Sequence, residues 1–342
     1  MYLRIPVWLC AALTVFYLPL AAAQAAGGAA ASTPLAVPNA TSSAVARSLR
    51  FIVPFPAGGS ADLVARTIAR GMGDVLGQAV VVENRAGAGG MIGTAAVAHA
   101  APDGLSFGLG TISTLALAPS LYRTLPYDPD TALEPIGLIS ESPFLVVVNG
   151  ALPARTLGEL IELARTRPGQ LNYASIGSGT ILHFAGELFN RLAATQIVHV
   201  PYKGAAPALV DLLAGQVQMM IDQIASFQAQ NLQSGRLRAL AVAGPNRLAQ
   251  FPDVPTAREA GLADFELVTW FALIAPRGTP AEVINRLSQA SRSTLAGAEL
   301  RTLFREQGVE PQASTPRELA DRIKRDRARW AVIIKQSGFQ LD

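Results

Sequence analysis

Residues 51–62 read F-I-V-P-F-P-A-G-G-S-A-D: an apolar run, two prolines, paired glycines and then a helix-forming stretch from Ala61. Pro54 and Pro56 remove backbone donors and stiffen the approach, while Gly58 and Gly59 allow a tight turn and let a ligand come close to the main chain. Backbone N–H groups at the following helix start have no carbonyl one turn earlier to receive them, and with the helix dipole they make an anion site. A small carboxylate fits there without any charged side chain, and Gly58 and Gly59 are expected to present their N–H groups to it. A second loop, N-Y-A-S-I-G-S-G-T-I-L-H at 172–183, combines small hydroxyl residues with glycines at another strand-to-helix turn. Ser178 and Thr180 can cap that helix or donate hydroxyl hydrogen bonds to a ligand oxygen, and both uses can coexist.

Two acids stand near these loops. Asp62 lies at a helix start, where a carboxylate interacts well with the helix dipole; it caps the helix or shapes the loop by accepting from loop N–H groups. Asp222 ends the strand-like run at 217–222, where it could receive a ligand ammonium or hydroxyl, or only hold a turn. Neither Ser60 nor Ser178 sits in the G-x-S-x-G pattern of a nucleophile elbow. The chain has three histidines, His99, His183 and His199. His183 and Glu187 are spaced to share a helix face, but the local sequence supplies no third metal ligand. The segment 82–93, V-E-N-R-A-G-A-G-G-M-I-G, invites a dinucleotide reading. Its last glycine falls one place too late for that fingerprint, and a tight turn supporting the neighbouring loop fits better. No catalytic residue, metal or cofactor is expected.

The elements that must position these loops follow from the wider pattern. At 342 residues the chain can build two domains with their own cores. Only 15% of residues are charged and 50% are hydrophobic, against roughly 25% charged in an average domain. No uninterrupted apolar stretch after the leader is long enough to span a bilayer. The leader places Arg4 before an apolar run at 5–20 and small residues at 21–25, with Ala21-Ala22-Ala23 and Ala23-Gln24-Ala25 as candidate cleavage motifs, so residues 1–25 are read as an export signal. The only cysteine, Cys10, lies inside that run without the small preceding residue of a lipoprotein box, so cleavage leaves a thiol-free chain and no lipid anchor. Removal of Arg4 takes the formal charge from +3 to +2, which implies no polyanionic partner, and no basic stripe interleaved with aromatics points to nucleic acid.

Residues 26–49 are rich in Ala, Ser, Gly and Pro and read as a disordered linker. Beyond it, strand candidates near 51–55, 79–83, 105–109, 143–148, 171–175, 196–200, 217–222 and 237–243 alternate with helix-like segments, which predicts parallel sheets flanked by helices. Thr156 with Glu159 has the spacing of a capping box, and Thr279-Pro280-Ala281-Glu282 and Thr315-Pro316-Arg317-Glu318 repeat it with proline at the first helical position. Ligands of such sheets bind beyond the carboxyl ends of the strands. Two glycine loops far apart in sequence therefore suggest a cleft gripped from both sides.

These residues resemble a family, the periplasmic receptors of tripartite tricarboxylate transporters, often called Bug receptors. The resemblance rests on V-P-F-P-A-G-G-S-A-D at 53–62, V-E-N-R-A-G-A-G-G at 82–90, P-D-G at 102–104 and the loop at 172–183. It continues through V-P-Y-K-G-A-A-P-A-L-V-D-L-L-A-G-Q-V at 200–217 and P-T-A-R-E-A-G at 255–261. One departure is Ala86, where the family's second motif commonly has proline. The resemblance implies an α/β, type II periplasmic-binding-protein-like clamp, with domain 1 from 50–145 and 268–342, domain 2 from 146–267, and the ligand cleft between them. It implies one ligand carboxylate held by Phe55, Ala57, Gly58, Gly59 and Asp62. The other end is met by Ser175, Ser178, Gly179 and Thr180, with Tyr202, Gly204 and Asp222 nearby and ordered waters often bridging. By the same resemblance the chain is a monomeric periplasmic receptor that delivers a small di- or tricarboxylate to membrane permease subunits or to a sensor partner. A rival from another class, an enzyme acting on a small acid in the same cleft, would need Asp222, His183 or Asp62 as its base.

Overall fold

The computed structural model describes residues 48–227 and 229–337; the leader with Cys10 and residues 26–47 of the linker lie outside the described residues. The first lobe opens with β1 (Leu49–Val53), α1 (Ser60–Leu76), β2 (Val80–Asn84), α2 (Met91–Ala98) and β3 (Ser106–Thr111). β1 lies between β2 and β3 and is parallel to both, with Phe51 opposite Val82 on one side and Phe107 on the other. The Phe51 and Phe107 rings stack at 4.6 Å and are fully buried, a pair that contributes about 1 kcal/mol beyond the area it covers. A π-helical turn at Ser113–Leu117 and the short α3 (Ala118–Leu121) lead to β4 (Leu133–Asn149).

The second lobe repeats the plan with α4 (Leu157–Thr166), β5 (Asn172–Ser175), α5 (Ile181–Ala193), β6 (Val198–Pro201), α6 (Ala205–Ala214) and β7 (Met219–Asp222). Two short helices, α7 (Ile224–Phe227) and α8 (Ala229–Gln233), precede β8 (Leu237–Ala243). β5 is parallel to β6 and to β7. The chain then returns through β9 (Val268–Pro276), α9 (Ala281–Ala296), α10 (Ala298–Glu306), β10 (Glu310–Pro311) and α11 (Pro316–Ser337).

The sheets are mixed rather than parallel, which corrects the expectation from the alternating pattern. β9 runs antiparallel between β3 and β4, giving the order β2-β1-β3-β9-β4 in the first lobe. β4 runs antiparallel between β7 and β8, giving β6-β5-β7-β4-β8 in the second. Each lobe therefore has an antiparallel strand at the fourth place of its order, and in the first lobe the two-residue β10 also pairs antiparallel with β4. β4 serves both: its residues 133–143 pair with β9, and 144–149 pair with β7 and β8. Its first half carries no clear strand pattern because Pro135, Gly137 and Pro143 interrupt it. The structure accommodates the break with register shifts at Pro135/Gly137 and Leu138/Ser140. β9 gives no alternation either, because a strand buried on both faces is a continuous apolar run.

The helix starts agree in part with the capping patterns. Thr315 and Glu318 make the reciprocal box, Thr315 N–H donating to Glu318 at 2.8 Å and Glu318 N–H to Thr315 Oγ1 at 3.3 Å. Thr156 Oγ1 likewise receives the Glu159 N–H, but the Glu159 carboxylate reaches back one residue further, to the Arg155 N–H. At the third site Pro280, not Thr279, is the cap residue, and the Thr279 hydroxyl donates instead to the Pro276 carbonyl. Among the described residues no helix is long and apolar enough to cross a membrane.

Candidate functional site

The carboxyl ends of β1, β3, β5 and β7 and the beginning of β9 converge on a cavity of about 30 Å³ between the lobes. Its wall combines Phe55, Ser60 and Ala61 after β1, Thr111 at the end of β3 with Ser113 beyond it, and Thr269 and Phe271 of β9. From the other lobe come Ile176, Ile181 and Leu182 after β5, Asp222 at the end of β7 and Gln223 next to it. Among the described residues the lining contains no lysine or arginine. A larger groove of about 490 Å³ lies between α1, α9 and α10, and no strand residue lines it among the described residues.

The first loop is braced from outside the cavity. Asp62 is buried, and its carboxylate accepts from the Gly58 N–H at 3.0 Å, the Arg66 guanidinium at 3.0 Å and the Asn84 amide at 2.9 Å. Burial by itself would raise the Asp62 carboxyl; the Arg66 hydrogen bond, the Gly58 N–H, the Asn84 amide and the Arg66 charge together outweigh it and hold the group below its ordinary range. Asn84 also donates to the Phe55 carbonyl at 3.0 Å, so the V-E-N-R segment ties down the neighbouring loop. The glycines after it let α2 come close: a Cβ on Gly93 would lie 2.5 Å from both Pro54 Cα and the Arg85 carbonyl.

One expectation is corrected here. The Gly58 N–H is not presented to the cleft, because Asp62 takes it, and Gly58 itself is exposed with φ +87°. The free donors lie one step later. Gly59 caps α1 without any side-chain hydrogen bond, so the N–H groups that open α1 at Ser60 and Ala61, both in the cavity wall, have no side-chain cap.

The second loop closes on itself. Thr180 caps α5 by accepting the His183 N–H and donates its hydroxyl to the Gly177 carbonyl at 2.7 Å. Ser175 Oγ takes the Gly177 N–H at 3.2 Å and is bonded to His199 Nε2 at 2.7 Å. The Gly179 N–H donates to His183 Nδ1, and the Ile181 N–H crosses to Ser113 Oγ of the first lobe at 3.0 Å. Behind the loop the His183 and His199 rings stack at 3.7 Å, and burial, with the neighbouring ring adding to it for His183, pushes both imidazoles down to about 4. Glu187 accepts the Tyr173 hydroxyl at 2.6 Å.

Of the twelve residues singled out from the sequence, Phe55 and Asp222 line the cavity. Asp62, Ser175, Gly179 and Thr180 shape the two loops from behind. Ala57 and Ser178 are exposed, and the Ser178 carbonyl receives the Tyr122 hydroxyl across the lobes at 3.3 Å. Gly59 and Gly204 sit at the lobe contact: Gly59 faces Ala205, and a Cβ on Gly204 would lie 3.0 Å from Pro56. The Tyr202 hydroxyl is turned away to Asp211 at 2.7 Å. Sequence reasoning misses the polar Ser60, Thr111, Ser113, Gln223 and Thr269 and the apolar Ala61, Ile176, Ile181, Leu182 and Phe271 as wall residues. The rule that ligands meet carboxyl strand ends could have flagged Thr111, Ser113 and Gln223. Thr269 and Phe271 depend on β9, which has no strand signature of its own.

Asp222 differs from every other group in the wall. It is 2% exposed, among the described residues its one hydrogen bond of good geometry is from the Gln223 N–H at 2.7 Å, and burial pushes its carboxyl up to about 7. The cavity thus has a donor end at α1 and an acceptor end at β7.

Comparison with known proteins agrees with this architecture. The family model described as "Tripartite tricarboxylate transporter family receptor" matches residues 64–339. Periplasmic binding protein BugD is similar at 36% identity over 86% of this chain and 98% of its own, with a TM-score of 0.82. Rpa4515 of Rhodopseudomonas palustris, solved with adipate, is 36% identical over 85% of this chain and 97% of its own, with a TM-score of 0.82. MatC of the same organism, solved with bound malate, is 36% identical over 84% and 99% of the two chains, with a TM-score of 0.80. The two-lobed fold, the convergent strand ends and the family match agree: this chain belongs to the receptor family of tripartite tricarboxylate transporters.

Proposed function

We propose that the protein is an exported, extracytoplasmic receptor that closes its lobes over a small organic carboxylate and presents it to the membrane subunits of a tripartite tricarboxylate transporter. The observation that carries this reading is the uncapped start of α1 in the wall of a buried cavity without lysine or arginine among the described residues. Such a helix start receives an anion through backbone N–H groups and the helix dipole alone. The related proteins solved with adipate and malate support the same ligand class. The lobes divide at 50–145 with 268–342, and at 146–267; the change of β4 partner near Pro143 and the entry into β9 at Val268 support that division.

Capture follows from shared bonding. The α1 start belongs to one lobe and the β7 end to the other, so only the closed form satisfies a ligand at both ends. The contacts Ser113 to Ile181 and Tyr122 to Ser178 already bridge the lobes, and Pro56 packs against Gly204. Calorimetric titration of the mature chain with di- and tricarboxylates, beside mass spectrometry of ligand retained through purification, tests the reading. Saturable binding of an acid recovered unchanged is expected. Silence across the acids, or turnover of a bound one, would sink it.

A further inference from the structure

Resting on the carboxylate-capture reading and deepening it, we propose that the passenger carries a hydrogen-bond donor, an ammonium or a hydroxyl, at the end that meets Asp222 and Gln223. Asp222 ends β7 and Gln223 follows it, as Thr111 ends β3 and Ser113 lies beyond it in the first lobe, and both pairs enter the cavity wall. Asp222 Oδ1 accepts the Gln223 N–H, and both residues belong to the cavity wall. The Ser226 hydroxyl eases the Asp222 charge but makes no hydrogen bond of good geometry. Beside it Gln223 is 4% exposed, and its Oε1 has no hydrogen-bond partner among the described residues. A buried carboxyl and a buried amide whose oxygen is unpartnered therefore stand side by side, with no cationic side chain in the described lining.

Buried acceptors are costly to leave unmet, and a buried carboxylate more so. An ammonium brought by the ligand can donate to both groups, and a hydroxyl can donate to the Asp222 carboxylate while it accepts from the Gln223 amide. A second carboxylate at this end would instead need Asp222 protonated, which its value of about 7 favours only at lower pH. The division of labour is then complete: the ligand carboxylate goes to the α1 start, and its amino or hydroxy substituent goes to the β7 end.

The test is calorimetry of the mature chain with acids matched for length: succinate, malate and aspartate; glutarate, 2-hydroxyglutarate and glutamate; adipate, 2-hydroxyadipate and 2-aminoadipate, each chiral acid as both enantiomers. At whichever length binds, a hydroxy or amino acid is expected to bind at least about tenfold more tightly than the unsubstituted one. Preference for the amino acid assigns an ammonium, and preference for the hydroxy acid a hydroxyl. D222N and Q223M are each expected to shrink that ratio, and thermal denaturation shows whether each has folded; Q223M, similar in size and uncharged, carries the comparison if D222N does not fold. Unsubstituted acids binding as tightly as their partners, or a preference that survives in the folded variants, overturns the donor assignment while capture stands. Failure of every acid to bind overturns capture itself.

Discussion

The two glycine-rich loops occupy equivalent places, each after the central parallel strand of its lobe and before a helix, yet their backbone donors have different fates. At 175–183 the protein uses its own donors: Thr180 caps α5, Ser175 and His183 take glycine N–H groups, and Ser113 takes the Ile181 N–H. At 54–62 the bracing comes from the side and from behind, through Asp62 and Asn84, and the first N–H groups of α1 stay uncapped. A glycine-rich turn at a helix start is therefore not by itself an anion site. What makes one is the lack of a side-chain cap, together with a brace strong enough to hold the loop without one.

The largest effect should come from filling the first loop. A Cβ placed on Gly59 would lie 3.6 Å from the Ala205 Cβ, so the longer side chain of Gly59→Leu would run into the facing lobe and block closure over the α1 start. We expect carboxylate affinity to fall by about a hundredfold or more, roughly 3 kcal/mol, with circular dichroism unchanged; retained affinity by calorimetry would remove this loop from the site. Next, Asp62→Ala removes three hydrogen bonds and strands the Gly58 N–H. A loss of about 2 kcal/mol in chemical denaturation is expected, with weaker binding as the loop loosens; unchanged stability would show that the brace is idle.

The third prediction separates the loops by pH. Above the ordinary imidazole value of 6.5, His183 and His199 are neutral whether folded or unfolded, so their contribution is fully present. As pH falls from 6.5 through about 4, the unfolded chain takes up protons first and that stability is lost. Asp62, held below the usual carboxylate range, keeps the first loop braced through the same interval. Relative to a His183→Phe, His199→Phe double variant, the wild type should lose on the order of 2 kcal/mol between pH 6.5 and 4. Imidazole resonances titrating near 6.5 would refute this. The smallest effect belongs to Thr180→Val, which uncaps α5 and should cost about 1 kcal/mol in thermal denaturation while binding barely changes. A large loss of affinity there would place Thr180 against the ligand after all.

Much of this is legible in the residues. Phe51, Gly58 and Gly59 mark the first loop, and the hydroxyl and glycine pattern at 175–180 marks the second. Thr156 and Thr315 announce helix starts, because local capping needs only local spacing. The roles of Asp62 and Asn84 can be guessed but not separated, since the bond between them spans a strand crossover. Thr269 and Phe271 are invisible as site residues because β9 returns from the far end of the chain to lie between β3 and β4.

Residue order alone is enough to specify the repeated strand-to-helix units, their glycine turns and the family to which they belong, because propensity, capping and turn chemistry act over a few residues. Which donors remain for a ligand is settled only when the chain is folded. Whether an N–H is free depends on partners brought from elsewhere, such as Ser113 for Ile181 or Asp62 for Gly58, and on the closure that buries Asp222 and Gln223 opposite α1.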